Sequence, residues 1–444
     1  MSRDLTKIFV PLFILLAAFI FNYVTSIMLA NIMSIEKYGL VNYAITVINI
    51  TAAFILIGTN SSAKRFLNAY LYEHHTNKTT SYINWNLSIV FIPVKFSLIL
   101  GLFLLLVVDP LELFFIGKIT DGTQIMIFLL VASPLLASAN LVASFLLCDD
   151  HIEVSTFLKQ MGFYSLMLIG VYIYFTFVFN TPVNKATLEH VLILMFICYL
   201  VLMVISIFML KKKSPKIYQT IVDFEKKGFC KKESSAWQQS ARRQLLLNLM
   251  LQLVKRIDFL LLVLFSPTTT QLAAYGIAIK TAAFLELVPK GLFQHLKNKV
   301  SIQLKSETKK QQLQLLWNQS LRYNVIITII AAMMVHNCQH FIVNVFSDSY
   351  LPAIALIKIL NISFLVFAIG GDKTMLLQFS GYANYVTGSF IVKIISFLIF
   401  AAILNPIYGI TGIAYAALIS SIISEIFILI CIKHFLKFKP YGIF

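Results

Sequence analysis

Charge is scarce in this chain: Asp, Glu, Lys and Arg make up 12% of its 444 residues, against roughly 25% in an ordinary soluble protein. Acids are scarcer than bases, with 19 Asp and Glu facing 36 Lys and Arg. So few charges cannot cover a water-exposed surface. A soluble helical repeat array is excluded with it, because its outer faces would have to be polar. Cysteine is sparse as well, at 148, 198, 230, 338 and 431, with no CxxC pair. That spacing supports neither a disulfide framework nor a structural zinc site. His336 and His340 flank Cys338 at helical spacing and read as polar groups near a helix end rather than as metal ligands. There is no phosphate-binding glycine loop and no G-x-S-x-G elbow. Ser61–Lys64 matches S-x-x-K without the partner motifs that would make it catalytic. The chain therefore reads as a non-enzyme, with no catalytic residues, no metal and no cofactor.

What the chain has in quantity is long apolar runs. Apolar residues reach 59% and mean hydropathy is +0.83, the signature of an all-α, polytopic integral membrane protein. A crossing helix needs about 20 apolar residues. Twelve segments qualify: approximately 8–33, 41–59, 83–108, 123–148, 155–180, 187–210, 244–266, 272–296, 318–346, 353–379, 385–404 and 410–432. The first is too long for a signal-peptide core and reads as a retained span.

Orientation follows from where the bases fall. The N-terminus, the even-numbered loops and the C-terminus hold 24 Lys and Arg, counting Lys159; the odd-numbered loops hold 3, namely Lys37, Lys118 and Lys185. Basic loops stay inside, so both termini are expected in the cytoplasm. The net charge of +17 is then a topology signal and an attraction to anionic membrane lipid, and nucleic acid is not an expected partner. The one long loop, 211–243, divides the chain into an N-terminal six-helix lobe (1–210), a basic cytoplasmic linker, and a C-terminal six-helix lobe (244–444). Ile217–Phe224 within the linker is patterned as a surface amphipathic helix. The halves echo one another: IEKYGLVNYAI (35–45) and LAAYGIAIKTA (272–282) place Tyr38-Gly39 and Tyr275-Gly276 at matching points. Both halves start from the same side, which makes the repeat parallel.

The stretch LLLNLMLQLVKRIDFLLLVLF (245–265) carries Lys255, Arg256 and Asp258 near its middle. Charges at that depth cost a few kcal/mol or more each and belong to a protein interior or a hydrated cavity. At 100° per residue, Asn248, Gln252, Lys255, Arg256 and Asp258 fall within an arc of about 160°, opposite the leucines. Lys255 and Asp258 are i, i+3 neighbours able to pair, leaving Arg256 at the edge of the polar face. Asn84, Ser88 and Lys95 share another face, as do Ser389, Lys393 and Ser396. Glu286 lies one turn from Lys290, Gly370-Gly371 precede Asp372, and Ser421, Ser424 and Glu425 align. Lys290 and Lys358 lie near enough to span ends to snorkel. Lys95, Arg256, Lys280 and Lys393 lie deeper and are expected to line a cationic, substrate-binding cavity. Asp258, Glu286, Asp372 and Glu425 are candidates for coupling to Na⁺ or H⁺, or for neutralising a nearby cation.

Several elements, in their order and spacing, resemble the polysaccharide (O-antigen) flippase family of the multidrug/oligosaccharidyl-lipid/polysaccharide exporter (MOP) superfamily. They are Tyr38-Gly39 after the first span, Gly58 closing the second, Lys64-Arg65 beyond it, Asp258 before Tyr275-Gly276, and the late turn LNPIYGITGIAYA (404–416). The resemblance spans essentially the whole chain. It implies a V-shaped pair of lobes with alternating access in a bacterial inner membrane, with Lys64 and Arg65 at the cytoplasmic entrance. It also implies a cargo, an isoprenoid-diphosphate-linked oligosaccharide bound for surface polysaccharide, and other polysaccharide-assembly proteins as partners. An anionic, sugar-bearing head on a lipid tail matches a cationic cleft. Two rivals stand beside this reading. A drug exporter of the same superfamily would need an acidic cavity. A membrane enzyme of polysaccharide assembly would need larger outer loops than these.

Overall fold

A backbone inside a bilayer must satisfy its polar groups within the chain, and an apolar run does so as a helix. Each apolar run is helical wherever it is described, and no strand occurs among the described residues. The computed structural model describes residues 2–114, 121–178, 186–224, 231–265, 268–294, 307–380 and 382–437. Lys118 and Lys185, used above for orientation, lie outside them.

The helices are α1 (Ser2–Ile32), α2 (Ile35–Ile55), α3 (Thr59–Tyr72), α4 (Thr76–Phe114), α5 (Asp121–Cys148) and α6 (Ile152–Thr156). A π-helical turn, Phe157–Met161, leads into α7 (Gly162–Val178), followed by α8 (Leu188–Lys213), α9 (Pro215–Val222) and α10 (Lys231–Phe265). Then come α11 (Thr269–Ala282), a 3₁₀ turn (Ala283–Glu286), α12 (Leu287–Gln294), α13 (Glu307–Phe346), α14 (Ala353–Ile369), α15 (Lys373–Phe379), α16 (Ala383–Tyr408) and α17 (Ile410–Cys431).

Ten helical stretches among the described residues are long and apolar enough to cross a membrane, and each corresponds to an expected span. The two other expected spans depart for physical reasons. The segment 244–266 is helical within α10 as far as it is described, but it carries three charged residues, Lys255, Arg256 and Asp258. The segment 353–379 is two helices, α14 and α15, broken at Gly370-Gly371, where Gly371 has φ +67°. Much of the expected linker is helical too. Pro215–Val222 forms α9, with Ile217 buried, close to the amphipathic segment expected there. From Lys231 onward the chain already belongs to α10.

The helices pack as two compact units. One comprises Phe13–Lys37 and Val41–Gln252; the other comprises Leu253–Phe444 with Tyr38–Leu40 and Met1–Leu12. By packing, the division falls inside α10.

In the N-terminal unit, α5 packs against α3, α4 and α8. Small residues such as Ala132, Ser133 and Ala137 face inward, and hydroxyls tie the helices together. Thr51 and Ser133 hydrogen-bond at 2.6 Å, and Ser97 donates to the Leu130 carbonyl at 2.7 Å. In the C-terminal unit, α17 packs on α16 and α14, and α14 also packs on α11 and α13. Helix α11 is buried along most of its length. Buried amides cross between helices, Asn361 donating to the Ala332 carbonyl at 2.9 Å and Asn324 to the Ala368 carbonyl at 2.7 Å. Exposed Ile, Phe and Leu side chains cover the outer faces, as a lipid-facing surface requires.

Candidate functional site

In the C-terminal unit the polar edge of α10 meets α11. Asp258 is 9% exposed. One of its oxygens accepts the Phe259 backbone N–H at 2.9 Å, and the other accepts the Tyr275 hydroxyl at 3.1 Å. Tyr275 is fully buried. The repeated Tyr-Gly pairs thereby acquire a role: Tyr275 holds the intramembrane carboxylate. Gly39, the partner glycine, permits a close approach, since a Cβ there would lie 2.6 Å from the Thr269 carbonyl oxygen. Beside it, the Lys280 ammonium stands 5.5 Å from the centre of the Tyr38 ring, within cation–π range. Tyr275→Phe keeps the ring and removes the donor. A lost hydrogen bond to a charged group costs about 1.5–3 kcal/mol, expected as a lower melting temperature. Asp258→Asn should add less destabilisation in that background than in the wild type, because the two groups act as a pair. Simple additivity would show that the bond carries no stability.

The break between α14 and α15 places a second charge pair. Lys373, the first residue of α15, forms an ion pair with Glu425 of α17, and both are buried, at 6% and 8% exposure. Asp372 alongside accepts the Thr374 hydroxyl at 3.0 Å. Glu286, at the end of the 3₁₀ turn, pairs with Lys290 one turn on at 2.5 Å.

A cavity of about 50 Å³ is lined by Asp258, Glu286 and Lys393, together with Ser363, Ser420 and Ser421 and several apolar side chains. The space exceeds what one ordered water needs, about 10–15 Å³. Lys393 reaches it from α16. Its ammonium stands 6.0 Å from the Phe367 ring centre and interacts electrostatically with Asp258, Glu425 and Glu286.

Asp258, Glu286 and Lys393 thus share one cavity, and Glu425 interacts electrostatically with Lys393. Arg256 is half-buried; it favours the Asp258 carboxylate and opposes Lys280 electrostatically. Its anionic neighbour is therefore an acid of its own helix. The expected Lys255–Asp258 pair cannot be placed, since the Lys255 side chain lies outside the described residues. Lys95 does not join this cavity. It belongs to the N-terminal unit, is exposed, and stands 4.7 Å from the Phe91 ring centre. Lys64 and Arg65 are exposed on α3, with Arg65 stacked 5.3 Å from the Phe66 ring centre. Lys290 and Lys358 are exposed, in keeping with their positions near span ends.

The expected excess of cations does not appear among the described residues inside the C-terminal unit. Among its described residues, the buried or half-buried cations are Arg256, Lys280, Lys373 and Lys393, and the carboxylates are Asp258, Glu286, Asp372 and Glu425. Sequence reasoning missed Lys373, although it neighbours the glycine pair and Asp372. It also missed Lys159 of the N-terminal unit, which is half-buried on the π-helical turn and donates to the Ser144 hydroxyl at 2.9 Å. His336, Cys338 and His340 are exposed. No cluster of three or more metal-ligating side chains occurs among the described residues.

No family model and no curated protein matches the chain. Solved structures do. One is an inward-facing multidrug resistance MATE family transporter of the MOP superfamily, with TM-score 0.72 and 12% identity over 95% of this chain and 96% of that one. The fold is the MATE fold. A second example is DinF-BH, a MATE multidrug transporter, at TM-score 0.63 and 15% identity over 98% and 96% of the two chains. A third is the Vibrio cholerae MATE transporter VcmN, at 0.60 and 13% over 99% and 98%. Coverage near the full length on both sides means that the whole MATE architecture is shared. The resemblance read from Tyr38-Gly39, Asp258 and Leu404–Ala416 is supported in its fold alone. These likenesses do not single out polysaccharide flippases.

Proposed function

We propose that this chain is a transporter of the MOP superfamily that exports an organic molecule across a bacterial inner membrane by alternating access. The observation that carries the reading is the MATE fold matched along nearly the whole chain, together with a charged, hydroxyl-lined cavity inside its C-terminal unit. A membrane scaffold has no use for buried charges at this cost. The positive-inside pattern supports cytoplasmic termini.

For the cargo, export of small organic molecules is the better-supported class, because the solved neighbours are named as multidrug transporters. The equal number of cations and carboxylates among the described interior residues weakens the objection that a lysine excess raised against it. A second reading, flipping of an isoprenoid-diphosphate-linked oligosaccharide, is favoured by the order of the sequence elements ending in Asn405-Pro406-x-Tyr408-Gly409. Deleting the gene in its host tests both. Under the first reading, cells accumulate lipophilic dyes and become several-fold more sensitive to them, and the wild-type gene reverses this. Under the second, lipid-linked sugar accumulates on the cytoplasmic leaflet and surface polysaccharide falls. If neither changes and the purified protein moves neither class of cargo in liposomes, the transporter reading is overturned.

A further inference from the structure

The interior of the C-terminal unit supplies its own cations. Glu425 is held by Lys373 and Glu286 by Lys290, each in direct contact. Asp258 takes hydrogen bonds from Phe259 and Tyr275, and among the described residues its further compensation is electrostatic, from Lys393 and Arg256. Of these, Lys393 lines the cavity that Asp258 also lines, along with Glu286 and three serines. Such a set of oxygens is what a hard monovalent cation seeks. The cavity is not too small for one. What opposes entry is the ammonium already there. A second unit charge about 5 Å from it, at an effective dielectric of 20, would bind on the order of a hundredfold more weakly.

We propose that Lys393 is a tethered cation whose charge, on the wall of the carboxylate-lined cavity of the C-terminal unit, sets that cavity's specificity against free metal cations. The four-carbon stem comes from α16; the ammonium interacts electrostatically with Asp258, Glu425 and Glu286 and stands 6.0 Å from the Phe367 ring centre. Asp258 and Glu286, candidates for Na⁺ coupling by sequence, are then occupied by groups of the protein itself. The site needs no metal cation to be electrically complete. This role does not depend on which cargo is carried, nor on the chain being a transporter.

The test is thermal unfolding of the purified full chain in sodium, lithium, potassium or choline chloride at equal ionic strength. The wild type should melt at one temperature in all four. Lys393→Gln should be less stable in choline and should gain a saturable, cation-specific rise in melting temperature in sodium or lithium, as binding to the native state requires. Adding Asp258→Asn should abolish that rise. A Lys393→Gln protein indifferent to the cation would overturn the proposal. Should the variant fail to fold, retention of radioactive sodium by the wild type decides alone. The expectation is none above that of Asp258→Asn, and stoichiometric, Asp258-dependent retention would overturn it.

Discussion

Glu425→Gln is expected to destabilise the protein by about 3–5 kcal/mol, the usual cost of removing one partner of a buried ion pair. The amide still fills the space, so packing is hardly disturbed. What remains is the Lys373 ammonium, 6% exposed, with its principal counter-charge gone. In a low-dielectric interior that uncompensated charge dominates the loss. Lys373→Met should be milder, because Glu425 keeps an electrostatic interaction with Lys393. The double variant Glu425→Gln/Lys373→Met should recover more than half of what Glu425→Gln alone loses, since apolar replacement of a whole buried pair is often neutral. Gly370→Ala supplies a control that alters neither charge. Its Cβ would lie 1.8 Å from the Lys373 ammonium nitrogen and 3.2 Å from a Glu425 oxygen, so the lysine must swing aside and weaken the pair. Melting temperature and the yield of monodisperse protein report all four. A Glu425→Gln variant as stable as the wild type would show that the pair does not hold α15 to α17.

That pair also marks where the sequence stops being legible. Hydropathy located every span whose function is to be greasy. The two expected spans that are not simple crossing helices are 244–266, which carries three charges, and 353–379, which is strongly apolar to Ile369 and then breaks at Gly370-Gly371. Both contribute to the site, because a buried charge or a broken helix is tolerated only where protein surrounds it. Helical angle could say that Asp258 faces away from lipid, since that depends on one helix. It could not say that Lys373 would find Glu425, 52 residues away, because the contact is created by the packing of α15 on α17. Lys95 shows the opposite failure. It shares a helical face with Asn84, which is buried, yet Lys95 is exposed. Along the 39 residues of α4 a single face meets different neighbours, and sequence periodicity carries no record of where the covering helices end.

Trp237→Ala should unfasten the first half of α10 from the N-terminal unit. Trp237 is 1% exposed, an unusual burial for a residue the sequence places in a basic, polar stretch. Trp237, Ala241, Gln244 and Asn248 recur at the spacing of one helical face. That face lies on α3 and α4. The indole packs edge-on to Tyr82, with ring centres 5.3 Å apart, and lies 5.5 Å from Trp85; its N–H donates to the Tyr70 hydroxyl at 3.1 Å. Tyr82 is tied in turn to Ser62 at 2.8 Å, and Asn248 donates to Ser61 at 3.0 Å. Gly58 permits the approach. It has φ +74°, and a Cβ would sit 2.2 Å from the Ala241 carbonyl oxygen. Truncating a buried tryptophan costs about 3–5 kcal/mol, while Trp237→Phe, which loses chiefly the hydrogen bond, should cost about 1 kcal/mol. Because the contacts are confined to one end of the helix, the loss should be local. Limited proteolysis should cut Trp237→Ala between Lys231 and Gln252 at least tenfold faster than the wild type, with Trp237→Phe in between. The helical circular dichroism signal should stay near that of the wild type. Equal cleavage rates in all three proteins would mean that the aromatic cluster does not anchor α10.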